Sequence, residues 1–445
     1  MTIHKKHNIF GTDGIRALIG TEFFNTQSLI KLGHAIAQWA SSIHNRPCHI
    51  LLGHDTRESC IFVKSALQTG LLLHGSQIYD ACVLPTPAIC QIVRYSKQFD
   101  IGIIISASHN PYHDNGIKLI TSQGCKLSEQ DEIEITRLFY TQDFTQTYNN
   151  FGHVYFWQDA YDTYLANLQS FFTQNFLQDI KIVLDCAHGA THTIAQKIFE
   201  YYGATTISIN NQPNGKNIND NCGALHMHSL QQAVIEHQAA IGFAFDGDGD
   251  RVLAVNKNGD VKDGDDILAL LLEHQAYKNE QCVVGTLMTN QGFVSYLKKN
   301  NKQLLRAQVG DKYINQLLIK ENLKLGGEQS GHIIARDYME SGDGIFTALR
   351  LIQAIIQSSN WVLATFPKFP QLILNIPIKE KQDLSLPAFS SLIVEHQAQL
   401  HDGRLIVRYS GTEPLLRIMV EDADLENARS IGNKLSKALA EQLNF

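Results

Sequence analysis

The sequence has no apolar stretch long enough to cross a bilayer. Its conspicuous hydrophobic runs, such as residues 267–272, have only about a third of the length that a membrane-spanning helix needs. The first residues, 1–7, carry charges without the apolar run that follows them in a secretory signal. We therefore expect a cytoplasmic protein that makes no membrane contact.

Cysteine is also sparse and scattered, with eight residues and no C-x-x-C pair. In a chain of this size, such cysteines are typical of reduced and mostly buried thiols. The formal net charge of −7 argues against a nucleic-acid partner, although it allows a local basic pocket.

The motifs of several common enzyme classes are missing. There is no G-x-x-x-x-G-K-[ST] loop and no G-x-G-x-x-G fingerprint, so the sequence supports neither NTP hydrolysis nor a dinucleotide cofactor. The G-x-S-x-G elbow of many esterases is absent as well. The chemistry has to come from other loops.

The order of elements predicts an α/β protein of several domains. Strand patterns alternate with helical ones of about ten or more residues, which indicates βαβ units and largely parallel sheets. Three such sets and a smaller α+β tail predict domains at 1–155, 156–256, 257–366 and 367–445. We also expect a linker at about 140–158 and a helix over about 160–178.

Ser108 is a candidate nucleophile. It follows a run of β-branched residues, 103–105, that ends abruptly in small and polar ones. This pattern indicates a buried strand that reaches the rim of its sheet, where α/β proteins bind ligands. Many serines at strand ends, however, only satisfy backbone groups. The compact loop 10–16 is either a tight turn or the source of an arginine, Arg16, for an anionic site.

A second loop alternates carboxylates with glycines, at Asp246, Asp248 and Asp250. Three repelling carboxylates are costly unless a cation lies among them, and oxygen ligands favour Mg²⁺ over Zn²⁺. An EF-hand does not fit, because its sixth and twelfth positions would hold Arg251 and Lys257. An acidic surface turn is the alternative. The adjacent arginine suggests an anionic ligand.

Two further loops carry polar side chains that suit a phosphorylated sugar. Glu328, Ser330 and His332 lie on a glycine-framed loop and can exchange hydrogen bonds with hydroxyl groups. The other loop, in the tail, is a candidate anion nest made of Arg408, Ser410, Gly411, Thr412 and Arg417. Either loop is also compatible with a plain turn. Together the loops predict phosphoryl transfer to and from a sugar phosphate.

Five short motifs are distributed along nearly the whole chain. From the N-terminus, they are FGTDGIR, SASHNP, DGDGDR, GGEQSGH and RYSGTEP. In these motifs and their order the sequence resembles the α-D-phosphohexomutases. The resemblance implies three similar α/β domains with mixed or parallel sheets and a smaller C-terminal α+β domain around a central cleft. Within the family, the chain is most similar to bacterial enzymes that act on glucosamine phosphates. The length of the chain supports this similarity. Gln329 supports it as well, because phosphomannomutase/phosphoglucomutases typically carry Met at that position.

The resemblance implies a chemical role for the first motifs. Ser108 would carry the phosphoryl group. One Mg²⁺ per subunit would bind an oxygen of that phosphoserine and the carboxylates of the acidic loop, which are Asp246, Asp248 and Asp250. The transferring group would be steadied by Arg16 and Arg251. Proton transfer or charge neutralisation would be assisted by His109 and Lys118.

The remaining motifs would bind the sugar phosphate. Its hydroxyls would be read by Glu328 and Ser330, with His332 nearby. The phosphate that does not react would be held by the residues of the tail loop, Arg408, Ser410, Gly411, Thr412 and Arg417. The chain departs from the family pattern at Ala17, where Gly is usual, and at Tyr409, where Lys is common and gives the clamp a stronger positive field.

The implied reaction interconverts glucosamine 6-phosphate and glucosamine 1-phosphate through a 1,6-bisphosphate, which is also the activator, and feeds amino-sugar nucleotide and cell-wall precursor synthesis. A mutase preferring glucose or mannose phosphates stays open, because no residue identifies a 2-amino group. A metal-dependent phosphatase and a non-catalytic sugar-phosphate sensor are the rivals from other classes. The expected partner is a small sugar phosphate, with no nucleic acid and no membrane, for a monomer or a homodimer.

Overall fold

The computed structural model describes residues 8–11, 13–21, 23–141, 150–410 and 414–443. The chain divides into two compact units. The larger unit comprises residues 1–287 and 305–364, and the smaller one comprises residues 288–304 and 365–445. No helix of the described residues combines the length and the hydropathy that crossing a membrane requires.

The larger unit begins with strands and helices in alternation, as the sequence pattern predicts. They are β1 (Ile15–Leu18), α1 (Thr26–His44), β2 (His49–His54), α2 (Ser59–Leu72), β3 (Gln77–Val83), α3 (Thr86–Ser96), β4 (Ile101–Ile105), β5 (Asp114–Thr121), α4 (Glu129–Thr141) and β6 (His153–Phe156). The sheet order is β1-β5-β4-β2-β3-β6, with β5 antiparallel to both of its neighbours and the other pairs parallel. Strand β4 is buried along its whole length because α2 and α3 pack on the sheet.

A second series forms the sheet β11-β10-β9-β7-β8. Its elements are α5 (Ala160–Leu168), β7 (Lys181–Asp185), α6 (Ile194–Tyr201), β8 (Thr205–Ile209), α7 (His228–Glu236), β9 (Ile241–Phe245), β10 (Val252–Asn256) and β11 (Val261–Lys262), with a 3₁₀ turn at Gly223–Leu225. Strands β7, β8 and β9 are parallel, whereas β10 runs antiparallel to β9 and β11.

A third series forms the sheet β13-β12-β14-β15. Its stretch of chain holds α8 (Gly264–Leu271), β12 (Cys282–Thr286), α9 (Gln291–Lys299), β13 (Gln303–Ala307), α10 (Asp311–Lys320), β14 (Leu325–Gly327), β15 (Ile333–Ala335) and α11 (Gly344–Ser358). Strand β14 is parallel to β12 and antiparallel to β15.

The three sheets share one feature that positions the site. In each, a strand with a parallel neighbour connects directly to an antiparallel strand, as β4 to β5, β9 to β10 and β14 to β15. The connections are residues 106–113, 246–251 and 328–332. They hold the serine, acidic and sugar motifs, so each motif lies at the carboxyl end of a strand, where α/β folds bind ligands.

The smaller unit is an antiparallel α+β structure, as the sequence predicts. Its elements are β16 (Gln371–Pro377), α12 (Pro387–Gln397), β17 (Arg404–Tyr409), β18 (Leu415–Glu421) and α13 (Leu425–Leu443), with the sheet order β16-β18-β17. Apolar residues of β18 and α13 form its core. Helix α9 also belongs to this unit, because the Gln291 N–H donates to Glu421 Oε1 at 2.8 Å and Phe293 stacks on Phe366.

Two expectations from the sequence are wrong in part. Residues 153–156 of the expected linker form the edge strand β6. All four side chains are exposed, so the sequence of this strand does not alternate between apolar and polar residues. Residues 142–149 of that linker lie outside the described residues. The helix expected over 160–178 ends at Leu168, since Phe171 and Phe172 leave the helix to pack edge-on against Phe346 and Tyr202. The boundaries of the four predicted domains stay a prediction.

Two histidines form a buried contact between α1 and the turn after α2. The Nε2 atoms of His34 and His74 are 3.0 Å apart. Burial, together with the neighbouring His34, lowers the pKa of His74 from 6.5 to about 4. As the pH falls below 6.5, the unfolded chain binds a proton that the folded chain does not, so the free energy of unfolding decreases until the pH reaches the lower value.

We expect His74→Gln to reduce this acid sensitivity, because an amide keeps a polar contact to His34 but does not titrate. The loss of unfolding free energy between pH 7 and pH 5 should shrink by about 1 kcal/mol, a figure discounted for the partial exposure of the ring. Urea unfolding at both pH values measures it. His226→Gln, at an exposed position, is the matched control. A wild-type pH dependence in His74→Gln would contradict this account.

Candidate active site

Ser108 lies in the connection between β4 and β5 and is only 1% exposed. Its hydroxyl donates to Asp246 Oδ2 at 2.6 Å and lies 3.3 Å from His109 Nδ1. Its own N–H donates to Ser106 Oγ at 2.9 Å. The first two predicted motifs therefore meet directly, although they are far apart in the sequence.

The acidic loop closes the hairpin between β9 and β10. Asp246, Asp248 and Asp250 are buried, and one oxygen from each lies within 4.8 Å of the others. A Cβ atom on Gly247 would come within 2.5 Å of Ser108 O, so only glycine allows the loop to lie this close to the serine. Burial raises the pKa of Asp246 well above its usual range, and its two neighbouring carboxylates add to the effect.

The acidic loop fits a hard divalent cation. Buried and mutually repelling carboxylates are stabilised when a cation replaces their lost hydration, and all-oxygen donors suit Mg²⁺. Oδ1 of Asp248 is buried and has no hydrogen-bond partner among the described residues. Its Oδ2 accepts from Thr86 Oγ1 at 2.6 Å, which fixes the orientation of the carboxylate.

Lys118 offsets part of this negative charge. It lies on β5, and its Nζ is 2.8 Å from Asp248 Oδ2 and 3.4 Å from Asp250 Oδ2. Burial opposes its charge, but the surrounding carboxylates outweigh burial and raise the pKa of Lys118 well above its usual range. Lys118 is therefore a fixed positive charge beside the acidic loop.

The loop that precedes β1, together with Arg16 of β1, brings a second set of charges. Arg16 donates to Asp13 and, at 3.4 Å, to Asn110 Oδ1 of the serine loop. Asp13 also pairs with Lys126 at 2.6 Å, and Lys126 pairs equally closely with Asp311 at the start of α10. Burial would raise the pKa of Asp13, but these cations hold it far below its usual range.

A cavity of about 570 Å³ opens beside these groups, and Arg16, His109, Arg251, Glu328 and His332 contribute to its lining. Burial lowers the pKa of His109 to about 4, and the guanidinium groups of Arg251 and Arg16 act in the same direction. His109 is therefore neutral at pH 7. Carboxylates outnumber the basic side chains in the lining. Guanidinium groups can bind a phosphate and carboxylates can accept from hydroxyl groups, so the combination suits a phosphorylated polyol.

His332 lies between two carboxylates. Its Nδ1 is 3.5 Å from Asp250 Oδ1, and its Nε2 is 3.7 Å from Asp311 Oδ2. Burial lowers the pKa of His332, but the carboxylates outweigh burial and raise the pKa to about 9. The Gly342 N–H donates to Nε2 at 3.1 Å, which requires a free lone pair there and a neutral ring. We assign the neutral ring, because the Gly342 N–H contact is shorter than the distance from the ring to either carboxylate.

Of the other residues predicted to bind the sugar or its phosphate, Ser330 lies in the larger unit and the phosphate-binding set lies in the smaller unit. Ser330 is exposed and is not among the residues that line the cavity. In the smaller unit, Arg408 on β17 lies directly opposite Arg417 on β18, and Ser410 is 2% exposed. The remaining residues of the predicted clamp, Gly411 and Thr412, lie outside the described residues.

The chain matches four domain families of phosphoglucomutase/phosphomannomutase. Domain I matches residues 7–146, domain II residues 159–259, domain III residues 263–368 and the C-terminal domain residues 395–438. The chain is 39% identical over 441 residues to a phosphoglucosamine mutase of Acinetobacter baumannii, with coverage of 97% of this chain and 98% of that protein. The chain belongs to the phosphohexomutase family. A phosphoglucosamine mutase of Coxiella burnetii is 38% identical over 440 residues, with the same coverage.

Solved structures share the fold of this phosphohexomutase. A phosphoglucomutase/phosphomannomutase family protein from Burkholderia thailandensis has a TM-score of 0.79 at 20% identity, with 98% of this chain and 97% of that chain covered. N-acetylphosphoglucosamine mutase from Aspergillus fumigatus, solved with GlcNAc-6P and magnesium, has a TM-score of 0.67 at 17% identity, with 98% and 96% covered. At these identities the likeness concerns the fold alone.

Family membership makes the chain a phosphotransferase of the mutase type and confirms the predicted fold class. The acidic loop brings together three buried carboxylates in a group that could hold a metal ion. The sequence analysis missed Thr86, Lys126 and Asp311, which orient the acidic loop and the loop before β1. None of the three lies in a motif, so no local signal could have found them. Asp13 was also missed, although it lies within FGTDGIR.

We expect Asp248→Asn to weaken Mg²⁺ binding by more than about tenfold, because the charge of the oxygen ligands sets the affinity for a hard cation. Thermal unfolding at increasing Mg²⁺ concentrations gives the affinity without any assay of activity. Asp220→Asn, on an exposed turn, makes the same chemical change as a control. Equal Mg²⁺ affinity in Asp248→Asn and wild type would argue against metal binding by this loop.

Proposed function

We propose that this phosphohexomutase interconverts glucosamine 6-phosphate and glucosamine 1-phosphate through phosphorylated Ser108 and a 1,6-bisphosphate. The observation that carries the proposal is the buried contact between Ser108 Oγ and Asp246 Oδ2 beside a cavity to which Arg16 and Arg251 contribute. The names of the curated relatives, which cover nearly the whole chain, support the choice of sugar.

Phosphoryl transfer needs charge neutralisation and positioning more than covalent assistance from the protein. In the forward direction, the bond between phosphorus and Ser108 Oγ breaks while the oxygen of the free sugar hydroxyl bonds to phosphorus. The proton lost by that hydroxyl restores the hydroxyl of Ser108. Arg16 and Arg251 would neutralise the equatorial oxygens from the cavity side. Asp246, Asp248 and Asp250 would hold one Mg²⁺, which supplies further positive charge at the phosphoryl group when bound.

The return step regenerates phosphoserine from the other phosphate of the bisphosphate. Ser108 Oγ then attacks that phosphorus and releases its proton, while the bond from phosphorus to the sugar oxygen breaks and that oxygen takes up a proton. His109 Nδ1, 3.3 Å from Ser108 Oγ on a ring that is neutral at pH 7, is placed to accept the serine proton. Lys118 stays charged and would neutralise the carboxylates. Of the two roles expected for it, proton transfer and charge neutralisation, we propose the second. Glu328 and His332 would bind the sugar hydroxyls from the cavity lining, and Ser330 would do so from the exposed part of the same loop.

The reaction requires an activator, and the cysteines favour a compartment. Ser108 has to be phosphorylated before the first turnover, so a trace of glucosamine or hexose 1,6-bisphosphate would start the reaction. All eight cysteines are free thiols, which agrees with the reducing conditions of the cytoplasm. We retain a monomer or a homodimer as the proposed assembly.

We expect Ser108→Ala to lower mutase activity by at least about a thousandfold, because covalent transfer cannot bypass the missing oxygen. The assay couples glucosamine 1-phosphate formation to a detectable product in the presence of Mg²⁺ and a trace of bisphosphate. Ser65→Ala, on the exposed face of α2, is the control. Faster turnover of glucose or mannose phosphate would overturn the substrate. Release of free phosphate without isomerisation would overturn the mutase.

The clamp proposed for the unreactive phosphate predicts a different kinetic signature. We expect Arg408→Ala to raise KM for the sugar phosphate by about tenfold or more, since a charge-assisted hydrogen bond to phosphate is lost in both ground and transition states. The value of kcat should change much less. The control is Arg429→Ala, which removes an exposed arginine of the same unit. An unchanged KM in Arg408→Ala would remove Arg408 from the clamp.

A further inference from the structure

The backbone of Ser108 has an unusual conformation. Its φ angle is 51°, in the left-handed region that a residue with a side chain seldom adopts. Residues held there carry strain of about 1 kcal/mol or more and persist only where their surroundings determine them strongly. The loop therefore requires partners that the catalytic motifs do not supply.

Arg57, just after β2, is one such partner. It is 2% exposed and touches neither the cavity nor the acidic loop among its described contacts. Its Nη2 donates to Ser108 O at 2.9 Å and to Asn110 O at 2.8 Å. Its Nη1 donates to Pro111 O and, at 3.1 Å, to Asp114 O. One guanidinium group thus binds four carbonyls of the serine loop.

Asp55 connects this guanidinium group to the other side of Ser108. Its Oδ2 accepts from Arg57 Nε at 2.9 Å and from Ser106 Oγ at 2.6 Å. Ser106 Oγ in turn accepts the Ser108 N–H. The peptide groups on both sides of Ser108 are therefore fixed by one buried network.

Asn219 approaches the same carbonyls from the second sheet. It follows β8, has a φ angle of 59° itself, and its Nδ2 donates to Ser108 O at 2.9 Å and to Asn110 O at 3.3 Å. Its backbone N–H donates to Ala187 O. This contact fixes the backbone from which the Asn219 side chain reaches the two carbonyls. Two independent parts of the chain hold the same two atoms.

We propose that Arg57 and Asn219 are positioning residues that hold Ser108 in its left-handed conformation through both phosphoryl transfers. This inference rests on the proposed function, in which Ser108 alternates between free and phosphorylated forms. If the peptide relaxed to a common conformation, Oγ would swing away from Asp246 and from the cavity. A displacement of about 1 Å is enough to slow a positioned reaction about a hundredfold.

The test uses Arg57→Lys, which keeps the charge but cannot fork between carbonyls, and Asn219→Ala, which removes only the second donor. We expect kcat to fall about a hundredfold in Arg57→Lys and about tenfold in Asn219→Ala, with KM for the sugar phosphate unchanged. Mass spectrometry would show slower transfer of phosphate to Ser108 from the bisphosphate. Circular dichroism and thermal unfolding measure the folded fraction, to which kcat is normalised.

Arg350→Lys is the matched control, because Arg350 is also a buried arginine paired with a carboxylate, Asp337, and has no described contact with the serine loop. Wild-type kcat and phosphorylation rate in folded Arg57→Lys and Asn219→Ala would overturn the inference. So would an equal loss of normalised kcat in Arg350→Lys. If wild-type Ser108 takes no phosphate from the bisphosphate, the proposed function fails instead.

Discussion

Mutual repulsion between the buried carboxylates of Asp246, Asp248 and Asp250 is the constraint on which the rest of the site depends. Burial alone would favour protonation, as the raised pKa of Asp246 illustrates. The loop is compatible with its charge only because cations surround it. Lys118 reaches it from the first sheet, Arg251 follows it in the chain, and the three carboxylates are close enough to share a metal ion.

The charged groups form a continuous series from the acidic loop to the sugar loop. Lys118 contacts Asp13, Asp13 contacts Lys126, and Lys126 contacts Asp311 at the N-terminus of α10. His332 closes the series between Asp311 and Asp250. Because positive and negative groups alternate from Lys118 to Asp311, each of these charges has a partner, and the loop before β1 is held beside Arg16, which faces the cavity.

One structural device places the motifs of the larger unit. A strand with a parallel neighbour turns directly into an antiparallel strand, and the short connection presents polar side chains at the carboxyl edge of the sheet. The device recurs in all three sheets, with the serine, the carboxylates and Glu328 at equivalent positions. A repeated fold thus presents Ser108, the three carboxylates and Glu328 from the same local geometry.

The sequence by itself determined the fold class, the strands that precede the motifs and the residue types of the site. Buried strands such as Ile101–Ile105 show continuous apolar runs, and closely spaced carboxylates imply a cation, so both are local signals. Tertiary structure alone decided that Ser108 meets Asp246, that Lys126 links Asp13 to Asp311, and that Arg57 and Asn219 converge on the same two carbonyls. It also decided that β6 forms a strand and that α5 ends at Leu168. These features depend on contacts between residues remote in the chain, and such contacts leave no periodicity or spacing to read.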